Sequence, residues 1–265
     1  MWKQFFSDQL SHGLAQAGLA SVAAIAVMLL ARTRRIHLES ETLVALVRGL
    51  AQIVIVGSIL AVLLRGPRWT SAFILAAMMV AAAATSARRA KRIPGAFQAS
   101  LYGIAAGAGL LIAVMALAGA VDTAITTLVP VGSMLIANAM NANGLALDRF
   151  RSEVHAHVGQ VESALALGAA PEVAVAPYIQ DSYQASLIPA IDNLRSLGIV
   201  WIPGLMAGMV LSGSPPVYAA IYQFVVLAMI LASSGLTCLI STALIRARAF
   251  SPAAQLILRP GGPAR

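Results

Sequence analysis

Three carboxamides fall within six positions of the segment 134–144, which reads MLIANAMNANG: Asn138, Asn141 and Asn143. They stand at the end of an apolar run long enough to cross a bilayer. An amide left unpartnered in hydrocarbon costs roughly 2–7 kcal/mol on transfer scales, so each must meet a neighbouring helix, water or a passing solute. On a helix, Met134, Asn138 and Asn141 share one face and Asn143 points away. Two chemistries suit the shared face. Across a helix pair the amides would hydrogen-bond, at about 0.6 kcal/mol on average in membranes. Along a pathway, their oxygens would replace part of the hydration shell of a hard cation. Spacing alone leaves both open.

Other residues invite similar questions. The stretch IPGLMAGMVLSGSPP carries Pro203, which would free a carbonyl four residues back. In the same stretch Gly204 and Gly208 make a small-xxx-small face for close helix contact. Met206 and Met209 offer either thioethers to a soft metal or gap-filling packing. Gln223, at the start of the last apolar run, either satisfies a freed backbone group or faces a pathway. Arg48 and Gln52 are one helical turn apart in the second run. Arg48, about 9 Å from the nearer end at 1.5 Å per residue, either snorkels or pairs. Its partners would be Asp192 or carbonyls near the start of the sixth run, tying a gate to a loop.

Several chemistries find no support. The two lysines, Lys3 and Lys91, follow no phosphate-binding glycine pattern, and no zinc-protease or serine-hydrolase motif occurs. His155 and His157, two apart, point to different sides of a helix and make a poor metal pair. Cys238 is the single cysteine, so no internal disulfide forms, and it reads as a small packing residue. No acidic residue falls inside the expected spans, which weakens ion coupling. The reading is of a non-enzyme that binds no cofactor of its own.

These residues need elements to hold them. Of 265 residues, 59% are hydrophobic and 11% charged, against about 25% charged in soluble domains. The chain is therefore expected to be an all-α, polytopic membrane protein, since helices satisfy their own backbone in lipid. Seven spans are expected near 13–31, 42–64, 69–87, 98–119, 123–143, 197–213 and 217–245, the first retained and not cleaved as a signal peptide. The net charge of +8 does not imply nucleic acid, because the cations sit in short loops between apolar runs. Fourteen of them (Arg32, Arg34, Arg35, Arg88, Arg89, Lys91, Arg92, Arg149, Arg151, Arg195, Arg246, Arg248, Arg259 and Arg265) fall on one side of a seven-span arrangement. Lys3, Arg65 and Arg68 fall on the other, which puts the amino terminus outside and the carboxyl terminus in the cytoplasm.

One connection, about 145–196, is much longer than the rest. It carries Asp148, Glu153, Glu162, Glu172, Asp181 and Asp192 against three arginines, so an acidic cytoplasmic arm is expected to face a protein partner and not lipid. Val154, Val158, Val161 and Leu165 recur at helical spacing, which predicts that the fifth span continues outward. Gly168 and Pro171 then mark a helix-turn-helix.

The segments PVGSMLIANAMNANGLALDRF, LGAAPEVAVAPYIQDSYQASLIPAIDNLRSLGIVWIPGLMAGMVLSGSPPVYAAIYQ and VRGLAQIVIVG resemble the FetB-type iron-export ABC transporter permeases. These are related to the plant aluminium-tolerance STAR/ALS permeases. The likeness covers roughly the second half of the chain and the second span, including Arg48, Gln52 and Gln223. It implies a single permease domain over 1–265, a homodimer in the inner (plasma) membrane, and an ABC ATPase subunit that binds the ATP. ESALALGAAPEVA further resembles the Glu-Ala-Ala docking loop of ABC importer permeases. By that resemblance Glu162, Ala164, Gly168, Ala169 and Pro171 would couple to the ATPase. Where they do not simply pack helices, a choice the resemblance leaves open, Asn138, Asn141, Met134, Met206 and Gln223 would line the path of iron or another metal ion. Arg48, Gln52, Asp192, Pro203, Gly204 and Gly208 would gate or shape it. The competing readings are an ion-coupled secondary transporter and a membrane scaffold that transports nothing.

Overall fold

The computed structural model describes residues 2–33, 39–63, 69–90, 93–251 and 255–258. Arg34, Arg35, Arg65, Arg68, Lys91, Arg92, Arg259 and Arg265, used above for orientation, lie outside the described residues. Two compact units form, 1–66 and 67–265. The first holds α1 (Trp2–Thr33) and α2 (Glu39–Leu63), which pack against each other and carry Arg48 and Gln52 on exposed positions of α2. Among the described residues of these helices none is buried.

The second unit contains α3 (Thr70–Arg89), α4 (Ala96–Ile104), a π-helical turn (Ala105–Gly109), α5 (Leu110–Leu117), α6 (Ile125–Ala156), α7 (Val158–Ala166), α8 (Pro171–Ser196), α9 (Gly204–Leu211) and α10 (Pro216–Arg248). Among the described residues six helices are long and apolar enough to cross a membrane: 11–33, 40–58, 70–89, 96–117, 125–156 and 216–246. No β-strand occurs among them. The chain is thus an all-α, multi-pass membrane protein.

Side-chain pairings fix the directions. Leu75 faces Gly132 while Ser86 and Arg89 meet Asn143 and Gly144, so α3 and α6 run parallel. Leu135 and Ile136 share a core with Val226, Leu227 and Ile230, and Asn143 reaches Ser241, so α10 runs parallel to both. Three parallel helices need two return limbs. The first is the continuous rod of α4, the π turn and α5. The second is α8, which packs along α6 and α10 in the opposite direction. Glu172 pairs with Arg246 at 2.9 Å, Ser186 Oγ lies 3.6 Å from Cys238 Sγ, and Leu187 lies beside Gly235.

This corrects the expected sixth span. The apolar run 197–213 yields only the eight-residue α9, about 12 Å long against a core of about 30 Å. Ahead of it the chain turns at Gly198 (φ +76°), where the Gly198 N–H donates to the Trp201 carbonyl at 3.1 Å. Trp201 Nε1 donates to Ser196 Oγ at 3.1 Å. Pro203 precedes α9 and ends the turn, so it kinks no helix. Among the described residues Gly204 and Gly208 meet no atom within 4 Å of a Cβ position, so no close helix contact is seen there. The long connection is correspondingly not a free-standing arm: its second half is α8, laid back against the bundle.

The first half of that connection follows expectation. α6 extends past the asparagines to Ala156, and α7 ends in a glycine cap: Gly168 adopts φ +87°, with Ala169 N donating to the Ala164 carbonyl at 3.0 Å. Pro171 then opens α8 at its first turn, where no N–H is needed. Val161 and Val175 are buried, and Tyr178 donates to Gln160 at 3.0 Å while stacking on His157. The elbow is held from both sides.

Candidate functional site

The inner face of α6 is locked. Asn143 is fully buried, and its Nδ2 donates to Ser86 Oγ at 2.8 Å and to Ser100 Oγ at 2.9 Å. Ser241 Oγ donates to its Oδ1, with the Thr237 carbonyl at 2.7 Å as alternative acceptor. One amide thereby joins α3, α4, α6 and α10. Beside it, a Cβ on Gly107 would stand 2.7 Å from the Ser233 carbonyl and the Thr237 N. Only hydrogen fits at that crossing, which is where the π turn lies. Sequence reasoning had set Asn143 aside because it points away from the other two. That direction is what buries it.

The outer face is open. Asn141 is exposed, and half-buried Asn138 turns its Nδ2 onto the Met134 carbonyl of its own helix at 2.8 Å. Neither amide reaches another helix of the second unit in a described hydrogen bond. Met134 packs partly against the core, and Met206 is half-buried on α9. Gln223 is 1% exposed, and neither polar atom of its amide has a hydrogen-bond partner among the described residues. An orphaned buried amide is a costly thing to keep, and its position on the buried side of α10 makes it a candidate contact for a polar visitor.

Sequence reasoning named Asp192 but missed the stripe on α8 to which it belongs. Asp181, Gln184, Ile188, Asp192 and Arg195 recur at intervals of three and four, and all are exposed. Opposite them Ser182, Ser186 and Leu187 are buried against the bundle. The antiparallel register set by the pairs 172–246 and 186–238 puts Asp192 level with about Ile230, near the middle of α10's apolar span. Arg195 Nη1 pairs with Asp192 Oδ1 at 3.6 Å, and both side chains are more than half exposed. Asp192 therefore stands level with the middle of an apolar helix, on a limb that is polar on one side. The helical spacing of that stripe was visible; its low average hydropathy hid it. Pro177 and Pro189 lie inside this helix, and each removes one backbone N–H from it.

The residues expected to couple gather at the far end. Glu162 and Ala164 lie on α7, Gly168 and Ala169 in its cap, and Pro171 at the start of α8; Leu167 protrudes at the tip, 89% exposed. Among the described residues no three His, Cys, Asp or Glu side chains gather as metal ligands.

Comparison with known proteins gives the lineage. No solved structure matches. The chain is 31% identical over 251 residues to the Escherichia coli (strain K12) "Probable iron export permease protein FetB", covering 94% of this chain and 97% of that protein. It is 31% identical to the "UPF0014 membrane protein STAR2" of Oryza sativa subsp. japonica over 96% of this chain and 88% of that one. With the Arabidopsis thaliana "Protein ALUMINUM SENSITIVE 3" it shares 28% identity over 96% of each. The match to the family described as "Uncharacterised protein family (UPF0014)" runs over residues 14–250, and the chain belongs to that family.

Proposed function

We propose that this chain is the membrane-spanning permease subunit of an ABC transporter, exporting iron or another metal ion with ATP hydrolysed by a separate subunit. The observation that carries the reading is the charged pair Asp192–Arg195 on α8, level with the middle of an apolar span. Charges at that depth cost about 2.5 kcal/mol or more unless they face water or a partner, and they mark solute paths. Asn138, Asn141, Met134, Met206 and Gln223 supply oxygen and sulfur groups to the same path, and Asp181 and Gln184 continue it along α8. The relative named as an iron export permease supports the metal as cargo.

The elbow from Glu162 to Pro171 is the surface an ATPase would push. It is built on a helix end held by buried Val161 and Val175, so a load on the tip passes into α8. The whole chain acts as one permease domain in the plasma membrane, its elbow cytoplasmic.

Reconstitution into vesicles, with and without an ABC ATPase partner, tests this. ATP-dependent metal efflux that needs both proteins is expected. One observation favours a second reading: Asp181 and Asp192 on a crossing limb are what a proton-coupled carrier needs. Efflux abolished by an uncoupler and indifferent to the ATPase would select it, and no solute movement under any condition would leave a scaffold.

A further inference from the structure

The stripe on α8 is charged, mid-depth and uncovered within the second unit, and its charges are self-complementary. Asp192 and Arg195 carry opposite charge three residues apart, about 4.5 Å along the helix. Their mutual contact is long at 3.6 Å and uses one guanidinium nitrogen, leaving most of the five donors of Arg195 for another acceptor. Ile188, 53% exposed, adds an apolar shoulder one turn away.

We infer that this stripe is the face on which a second copy of the chain docks, Asp192 of each copy pairing with Arg195 of the other. Two copies inserted in the same direction are related by an axis along the membrane normal, so their α8 helices run parallel. The offset between Asp192 and Arg195 is then within reach of an arginine side chain, as between parallel coiled-coil strands. A two-fold contact uses the pair twice, which is the isologous pattern. The two stripes would bound the path between the copies, and the crossed pairs would close it at mid-depth. This location of the path rests on the permease reading; the contact itself does not.

The experiment mixes charges between full-length chains bearing two different tags, co-expressed and extracted in mild detergent. A chain with Asp192→Arg carries positive charge at both 192 and 195, and a chain with Arg195→Asp carries negative charge at both. Co-purification of Asp192→Arg with itself, and of Arg195→Asp with itself, is expected to fall at least tenfold below wild type. The mixture of the two is expected to recover most of the loss, which also shows that both variants fold. Undiminished self-association of either variant overturns the inference, and so does failure of the mixture to recover. Metal efflux by the wild-type chain and its ATPase is read separately. Its absence, beside charge-dependent association, removes the metal-permease reading and leaves the docking face standing.

Discussion

The two sides of α6 make opposite uses of the same side chain. On one, Asn143 spends every amide hydrogen on hydroxyls from other helices and is sealed from solvent. On the other, Asn138 bonds only its own backbone and Asn141 is exposed. An amide in a membrane helix can therefore fasten a bundle or stay available, and its angular position decides which. Three residues of one type in six positions thus serve two tasks.

Four substitutions would break or sharpen that contrast. The largest effect is expected at the fastened side, from Gly107→Leu. A side chain there collides with the backbone of α10 at 2.7 Å, and overpacking of about 3 kcal/mol is expected, with loss of the monodisperse peak in gel filtration. Asn143→Leu comes next. It strands the hydroxyls of Ser86 and Ser100 and leaves Ser241 only the Thr237 carbonyl, at a cost of about 2 kcal/mol that a denaturant titration in detergent would register. A midpoint equal to wild type would mean the amide fastens nothing.

Asn141→Leu should behave in the reverse sense. Stability is expected to stay within about 0.5 kcal/mol of wild type, as for exposed positions, while ATP-driven efflux drops about tenfold, the equivalent of about 1.4 kcal/mol. Efflux that survives would assign the open side of α6 to lipid. The smallest effect is expected from Glu172→Gln at the elbow, whose pair with Arg246 is half exposed. Less than about 1 kcal/mol of stability should be lost. Stability measured by melting beside efflux would separate this strap from a coupling role.

Much of this architecture was legible beforehand, and the exceptions have physical causes. Apolar runs gave the helices of α1 to α6 and α10 because lipid leaves the backbone no other option. Gly168 and Pro171 gave the elbow, since one ends a helix and the other starts one. The second return limb was misassigned. The segment 197–213 is apolar and was read as a span, yet Gly198 and Pro203 interrupt it, and Ile199 and Val200 stay exposed. α8 was legible as a helix but not as a return limb, because a helix with one polar side averages to a soluble-looking composition. The π turn left no trace beyond AAGAG, a string of small residues that would suit any close crossing.

That wider turn also sets the phase of the rod it interrupts. One additional residue per loop advances whatever follows by about 100° around the axis. The portion before it packs against α3 and α10, and the portion after it meets α6. Deleting one residue between Ala105 and Gly109 would spin Leu110–Leu117 by about a quarter turn, exchanging buried Ile112 for outward neighbours and unzipping the far half of the rod alone.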